Sequence, residues 1–148
     1  MQKTTVNEIL DFAITAEKAA KTFYLDLADK MDNDAMKKVF EDFAEQEENH
    51  RVLLEGVKDG KAIEAEEFAD LKIADYVVGV EPRPDMNYQE AITLAMKREK
   101  AAFAMYTQLA ESTHVGEVRQ TFQMLAREEA KHKLYFETEY DRVVLKDN

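Results

Sequence analysis

Apolar residues recur along this chain at spacings of three and four, in four long stretches. The first carries Leu10, Ala13, Ala20, Tyr24, Leu27 and Met31, and the second Met36, Phe40, Phe43, Leu54 and Val57. The third carries Ile92, Ala95, Ala102, Tyr106 and Leu109, and the fourth Val118, Phe122, Leu125, Phe136 and Val143. This period marks amphipathic helices that each turn one face to a core. Near its middle every stripe is interrupted by residues that do not suit a core: Glu17 in the first, Glu47 and His50 in the second, Glu99 in the third, Glu129 and His132 in the fourth.

Local signals place the helix ends. Thr5 with Glu8 forms a capping-box pattern, in which each side chain satisfies an orphan backbone N–H, and the first helix is predicted to run to about Met31. Asp32-Asn33-Asp34 breaks it and caps a second helix that reaches about Val57, ahead of Asp59-Gly60. Asn87 with Glu90 repeats the capping pattern for a third helix, to about Glu111. Ser112-Thr113-His114 separates it from a fourth, ending near Val144.

Short breaks make antiparallel neighbours, so helices one and two form a hairpin, as do three and four. The connection from about 58 to 86 is longer, with Pro82, Pro84 and a predicted short helix over 64–76. A helix of some 25 residues is about 37 Å long, and a connection of this size can cross that length. The expected fold is all-α: one domain, residues 1–148, a four-helix bundle of two hairpins joined by a long crossover. The apolar run Tyr76–Val80 in the crossover is expected to pack on the bundle or at a subunit interface.

The halves repeat each other. Glu17, Glu47 and His50 recur 82 positions later as Glu99, Glu129 and His132, and Glu17-Lys18-Ala19-Ala20 recurs as Glu99-Lys100-Ala101-Ala102. Tyr24, Leu27 and Ala28 recur as Tyr106, Leu109 and Ala110. Such a repeat predicts two hairpins packed with approximate twofold symmetry.

A lone Glu-x-x-His in a chain with 34% charged residues would say little. Two of them, each on an apolar stripe and each matched by a stripe glutamate 30 positions earlier, say more. Four carboxylates cannot be buried together without compensation. Two divalent cations would cancel their charge. A three-residue step keeps glutamate and histidine on one helix face, so both can reach one ion. Oxygen and imidazole donors without thiolate suit iron or manganese.

On these residues the chain resembles the ferritin-like di-iron carboxylate proteins, of the rubrerythrin and bacterioferritin kind. The resemblance spans nearly the whole chain. It implies that Glu47 and Glu129 bridge two iron ions, that Glu17 and His50 complete one, and that Glu99 and His132 complete the other. Dioxygen or peroxide would bind between the metals on the open side. Tyr24 and Tyr106, seven residues after Glu17 and Glu99, are candidates to hydrogen-bond ligand carboxylates. His114 and Glu139 are expected to be solvated rather than ligands.

Departures narrow the choice. Rubrerythrin proper carries a rubredoxin domain, but this chain has no cysteine and so no thiolate iron site. It also has an extra glutamate one turn along the third helix, where this chain has Met96 and Ala102. The haem methionine of bacterioferritin, directly after the bridging glutamate of helix two, is replaced by Glu48, so no haem is expected. Little chain follows Val144 for the fifth helix of a ferritin cage.

The expected function is a di-iron oxidoreductase that oxidises ferrous iron, or reduces hydrogen peroxide or dioxygen with electrons from a separate donor protein. A non-catalytic iron-binding or delivery protein and a ferritin-type storage subunit are the alternatives. A net charge of −11 argues against nucleic acid and anionic membranes as partners. No secretory signal is evident in MQKTTVNEIL and no apolar run spans a bilayer, so a soluble cytoplasmic protein is expected. Separately, a small oligomer, a homodimer, is expected rather than a cage.

Overall fold

The computed structural model describes residues 3–60, 67–69, 82–83 and 85–146. The first helix, α1, spans Val6–Lys30; α2 spans Asp34–Asp59, α3 Tyr88–Ser112 and α4 Gly116–Lys146. The capping patterns explain where they begin. Thr5 and Glu8 form the reciprocal box, as do Asn87 and Glu90, so orphan N–H groups are satisfied at the start of α1 and α3. Asn33 Oδ1 accepts from the backbone of Ala35 and Met36 at 2.7 and 3.2 Å, which starts α2 only three residues after α1 ends.

Those tight turns make α1–α2 and α3–α4 two closely packed hairpins. The core has two parts. Val6, Ile9, Leu10, Leu54, Val57, Leu109, Val118, Phe122 and Leu125 fill one end. Tyr24, Leu27, Met31, Phe40, Phe43, Met86, Ile92 and Phe136 fill the other. The start of α1, the end of α2, the end of α3 and the start of α4 therefore meet at one end of an antiparallel bundle. Hydrogen bonds place α1 beside α3 and α2 beside α4. It follows that α2 ends and α3 begins at opposite ends of the bundle. Most of the predicted crossover, residues 58–86, lies outside the described residues, as does Tyr76–Val80.

One element was not foreseen. Lys3–Thr5 (β1) pairs antiparallel with Glu67–Ala69 (β2), Lys3 opposite Ala69, Thr4 opposite Phe68 and Thr5 opposite Glu67. This corrects the helix expected over 64–76, of which 67–69 are extended; the rest of it lies outside the described residues. A strand of three residues shows no readable alternation, and its partner is more than sixty residues away. The ribbon is minor beside the four helices, and the architecture is the all-α four-helix bundle.

Candidate metal centre

Between the two apolar ends lies a polar layer. Each helix contributes its interrupting residues to it, and all six are buried: Glu17, Glu47, His50, Glu99, Glu129 and His132. The three-residue step stacks each histidine one turn from its glutamate on the inner face of α2 or α4.

The donor atoms converge. His50 Nδ1 lies 3.5 Å from Glu17, 3.7 Å from Glu47 and 3.2 Å from Glu129. His132 Nδ1 lies 3.4 Å from Glu47, 3.6 Å from Glu99 and 3.5 Å from Glu129. Two overlapping groups of four result, Glu17/Glu47/His50/Glu129 and Glu47/Glu99/Glu129/His132, and within each the donor atoms lie within 4.8 Å of one another. Either group could hold a metal ion. Glu47 and Glu129 are shared between them, and the imidazole rings stand parallel with centroids 5.9 Å apart.

The same atoms lack hydrogen bonds. Glu17 Oε2, Glu47 Oε1, Glu99 Oε2, both Glu129 carboxylate oxygens and Nδ1 of both histidines are buried without a hydrogen-bond partner. Buried polar atoms are nearly always paired, because an unpaired one keeps its full desolvation cost. Here the unpaired atoms all point at one place, which is what a cation-binding layer requires. The acids respond as expected. Burial first, then the charge of neighbouring glutamates, holds Glu47 and Glu129 well above the usual carboxylate range. Burial pulls the His50 imidazolium pKa down, but the Glu17 and Glu47 carboxylates beside it outweigh burial and leave it raised.

Both tyrosines reach the layer, in crossed fashion. Tyr24 Oη donates to Glu99 Oε1 at 2.5 Å, and Tyr106 Oη donates to Glu17 Oε1 at 2.7 Å. Because α1 and α3 run antiparallel, each tyrosine holds the glutamate of the other hairpin. This leaves Oε2 of Glu17 and of Glu99 as the free oxygen in each case. Burial, then the nearby carboxylates, keeps both phenols protonated as donors.

Other candidates fall outside the layer. Glu139 accepts from Tyr88 at 2.6 Å and pairs with Arg142 toward the aromatic end of the bundle. His114 is exposed in the turn between α3 and α4. Glu48 pairs with Arg51 and Lys21.

Two features escaped sequence reasoning. A cavity of about 370 Å³ opens between α1 and α3, with Glu17, Glu47, Glu99 and Glu129 in its lining and Ala16, Ala20 and Ala102 among its walls. Ala20 and Ala102 were legible as stripe positions, but not as the gap that small side chains leave. The second is Gln46, whose Oε1 lies 2.7 Å from His132 Nε2. Its only sequence signal is its place directly before a ligand-type glutamate.

A four-helix bundle with a buried layer of glutamates and histidines able to hold metal is the architecture of the ferritin-like carboxylate proteins. Residues 8–140 match the Rubrerythrin family model, and this chain belongs to that family. Among solved structures, a hypothetical protein from Pyrococcus furiosus is similar over 95% of this chain and 90% of its own, at 27% identity and a TM-score of 0.73. No curated protein sequence matches the chain. Among the described residues no helix is long and apolar enough to cross a membrane.

Proposed function

We propose that this protein is a non-haem di-iron oxidoreductase. It would bind two iron ions between the hairpins, oxidise ferrous iron, and reduce hydrogen peroxide or dioxygen. The convergence of orphaned donor atoms from all six residues is the observation that carries this reading. The residues fit the ions: two positions each have a histidine and a glutamate of their own, and share Glu47 and Glu129. Four carboxylates and two +2 ions balance in charge, and manganese would satisfy the same donors.

Bound iron would supply the redox chemistry, cycling between ferrous and ferric states. The chain supplies the rest. Glu47 and Glu129 would bridge the ions, Glu17 and His50 would complete one position, and Glu99 and His132 the other. Tyr24 and Tyr106 would fix the rotamers of Glu99 and Glu17, so that each presents one oxygen inward. Peroxide or dioxygen would enter by the α1/α3 cavity, whose lining includes all four glutamates. Repeated peroxide reduction would consume electrons, which a separate donor protein would supply. A cytoplasmic homodimer is the proposed form, with exposed Val52, Leu53 and Leu134 as apolar surface.

A second reading is favoured by one observation. Met96 is half-buried beside the aromatic end of the core and Ala102 lines the cavity, so neither position near Glu99 offers another carboxylate. Such a site could bind and deliver iron without turning over. Anaerobic ferrous-loaded protein mixed with hydrogen peroxide separates the two. Rapid oxidation with repeated cycling on added reductant supports the oxidoreductase, while a single stoichiometric oxidation supports delivery. Sizing separates both from a storage cage.

A further inference from the structure

The 82-residue repeat maps His50 onto His132, but the surroundings of the two imidazoles differ. His132 Nε2 is held by Gln46 Oε1 at 2.7 Å. The amide oxygen is an acceptor, so this contact fixes the proton on Nε2 and leaves the Nδ1 lone pair facing the carboxylates. The edge of Phe43 packs on the His132 ring at a centroid distance of 4.8 Å and fixes its plane. The repeat places Glu128 where Gln46 stands in the other half. Among the described residues, neither Glu128 nor any other side chain hydrogen-bonds His50 Nε2. His50 also has no aromatic ring other than His132 packed on it among those residues.

We propose that Gln46 makes the two metal positions unequal. The Glu99/His132 position is preorganised and fills first; the Glu17/His50 position fills second and exchanges more readily. This rests on the two-metal reading above. A ligating histidine whose outer nitrogen is held pays less to order its ring, and loss of such a partner costs about 10–100-fold in metal affinity. The chain would then pass through a one-metal state in which the bridging glutamates are already oriented by the first ion.

The test is titration of the metal-free protein with Mn²⁺, followed by electron paramagnetic resonance. Free ion, a single bound ion and a coupled pair give different signals. In the unsubstituted protein a single bound ion should dominate at one equivalent. Gln46→Ala should weaken the first step about 10–100-fold and leave the second within a few-fold. Gln46→Glu, which keeps an acceptor, should restore the first step. Glu128→Gln should leave it unchanged. His132→Ala should remove the tight step and His50→Ala should retain it. Gln46 is exposed, so its substitution should leave the helical content by circular dichroism unaltered. Two ions entering together, or a Gln46→Ala protein with an unchanged first step, overturns the inference while the two-metal reading stands. Absence of any Mn²⁺ or Fe²⁺ binding overturns both.

Discussion

The two ends of this bundle and its middle obey opposite rules. At the aromatic end, Phe136 lies 4.5 Å from Phe43 and stacks at 6.0 and 6.2 Å on Tyr24 and Phe40, and all four rings are buried in one apolar cluster, with Tyr24 and Phe43 at its border with the polar layer. The other end is mainly aliphatic, and equally complete. The middle layer gathers charge and leaves its donor atoms unpaired. The ends therefore stabilise the fold whether or not metal is present. The middle costs stability until a cation compensates it. The bundle can hold a costly layer because that layer is flanked by apolar packing on both sides.

The sharpest break in this contrast is removal of a shared carboxylate. Glu47→Ala or Glu129→Ala should abolish tight binding of a metal pair, measured by metal analysis after dialysis, while the bundle still folds. If both variants retain two ions per chain at unsubstituted affinity, the two-metal reading is wrong. Next is Phe136→Ala, which opens a cavity in the aromatic end and should cost about 3–5 kcal/mol. Chemical denaturation should show that loss in the metal-free protein too. A loss seen only with metal present would break the separation of ends from middle.

Tyr24→Phe and Tyr106→Phe test the crossing of the tyrosines. Each removes a buried donor from a carboxylate, a change worth about 1–3 kcal/mol, read as weaker metal binding with little change in helical content. Tyr24→Phe should perturb the position that uses Glu99, and Tyr106→Phe the one that uses Glu17. The reverse pattern would refute the antiparallel α1/α3 arrangement.

The pH dependence of the metal-free protein is the next measure. Glu47 and Glu129 have raised pKa values in the fold, so the native state holds more protons than the unfolded chain above the ordinary carboxylate range. Stability must fall as pH rises through that window. The raised His50 pKa acts in the same direction, since stability present below its unfolded pKa is lost as pH climbs through the folded one. Metal-free protein should therefore melt at higher temperature near pH 5 than near pH 8, and metal should flatten or reverse the slope. The smallest effect is Asn87→Ala, which removes the α3 cap for about 1 kcal/mol without altering metal binding.

Much of this was legible in sequence. The helix starts could be read because capping is local: Thr5 and Glu8, or Asn87 and Glu90, need only three residues to satisfy one another. The inner faces could be read because burial follows helical period, and Leu10, Tyr24, Phe40, Leu54, Phe122 and Phe136 are all fully buried. The β1–β2 ribbon could not, because three residues paired across more than sixty carry no periodic signal.

For this protein, the sequence by itself determined which residues interrupt the inner face of each helix, since residues three apart in a helix lie on one face and the Glu…Glu-x-x-His pattern occurs twice on apolar stripes. Only the tertiary structure decided how their layer is wired. The antiparallel order of α1 and α3 sends Tyr24 to Glu99 and Tyr106 to Glu17 rather than to the glutamates of their own helices. The approach of α2 to α4 gives His132 a partner in Gln46 that the repeat does not give His50. Such contacts depend on how helices meet, and a spacing within one helix carries no information about its neighbour.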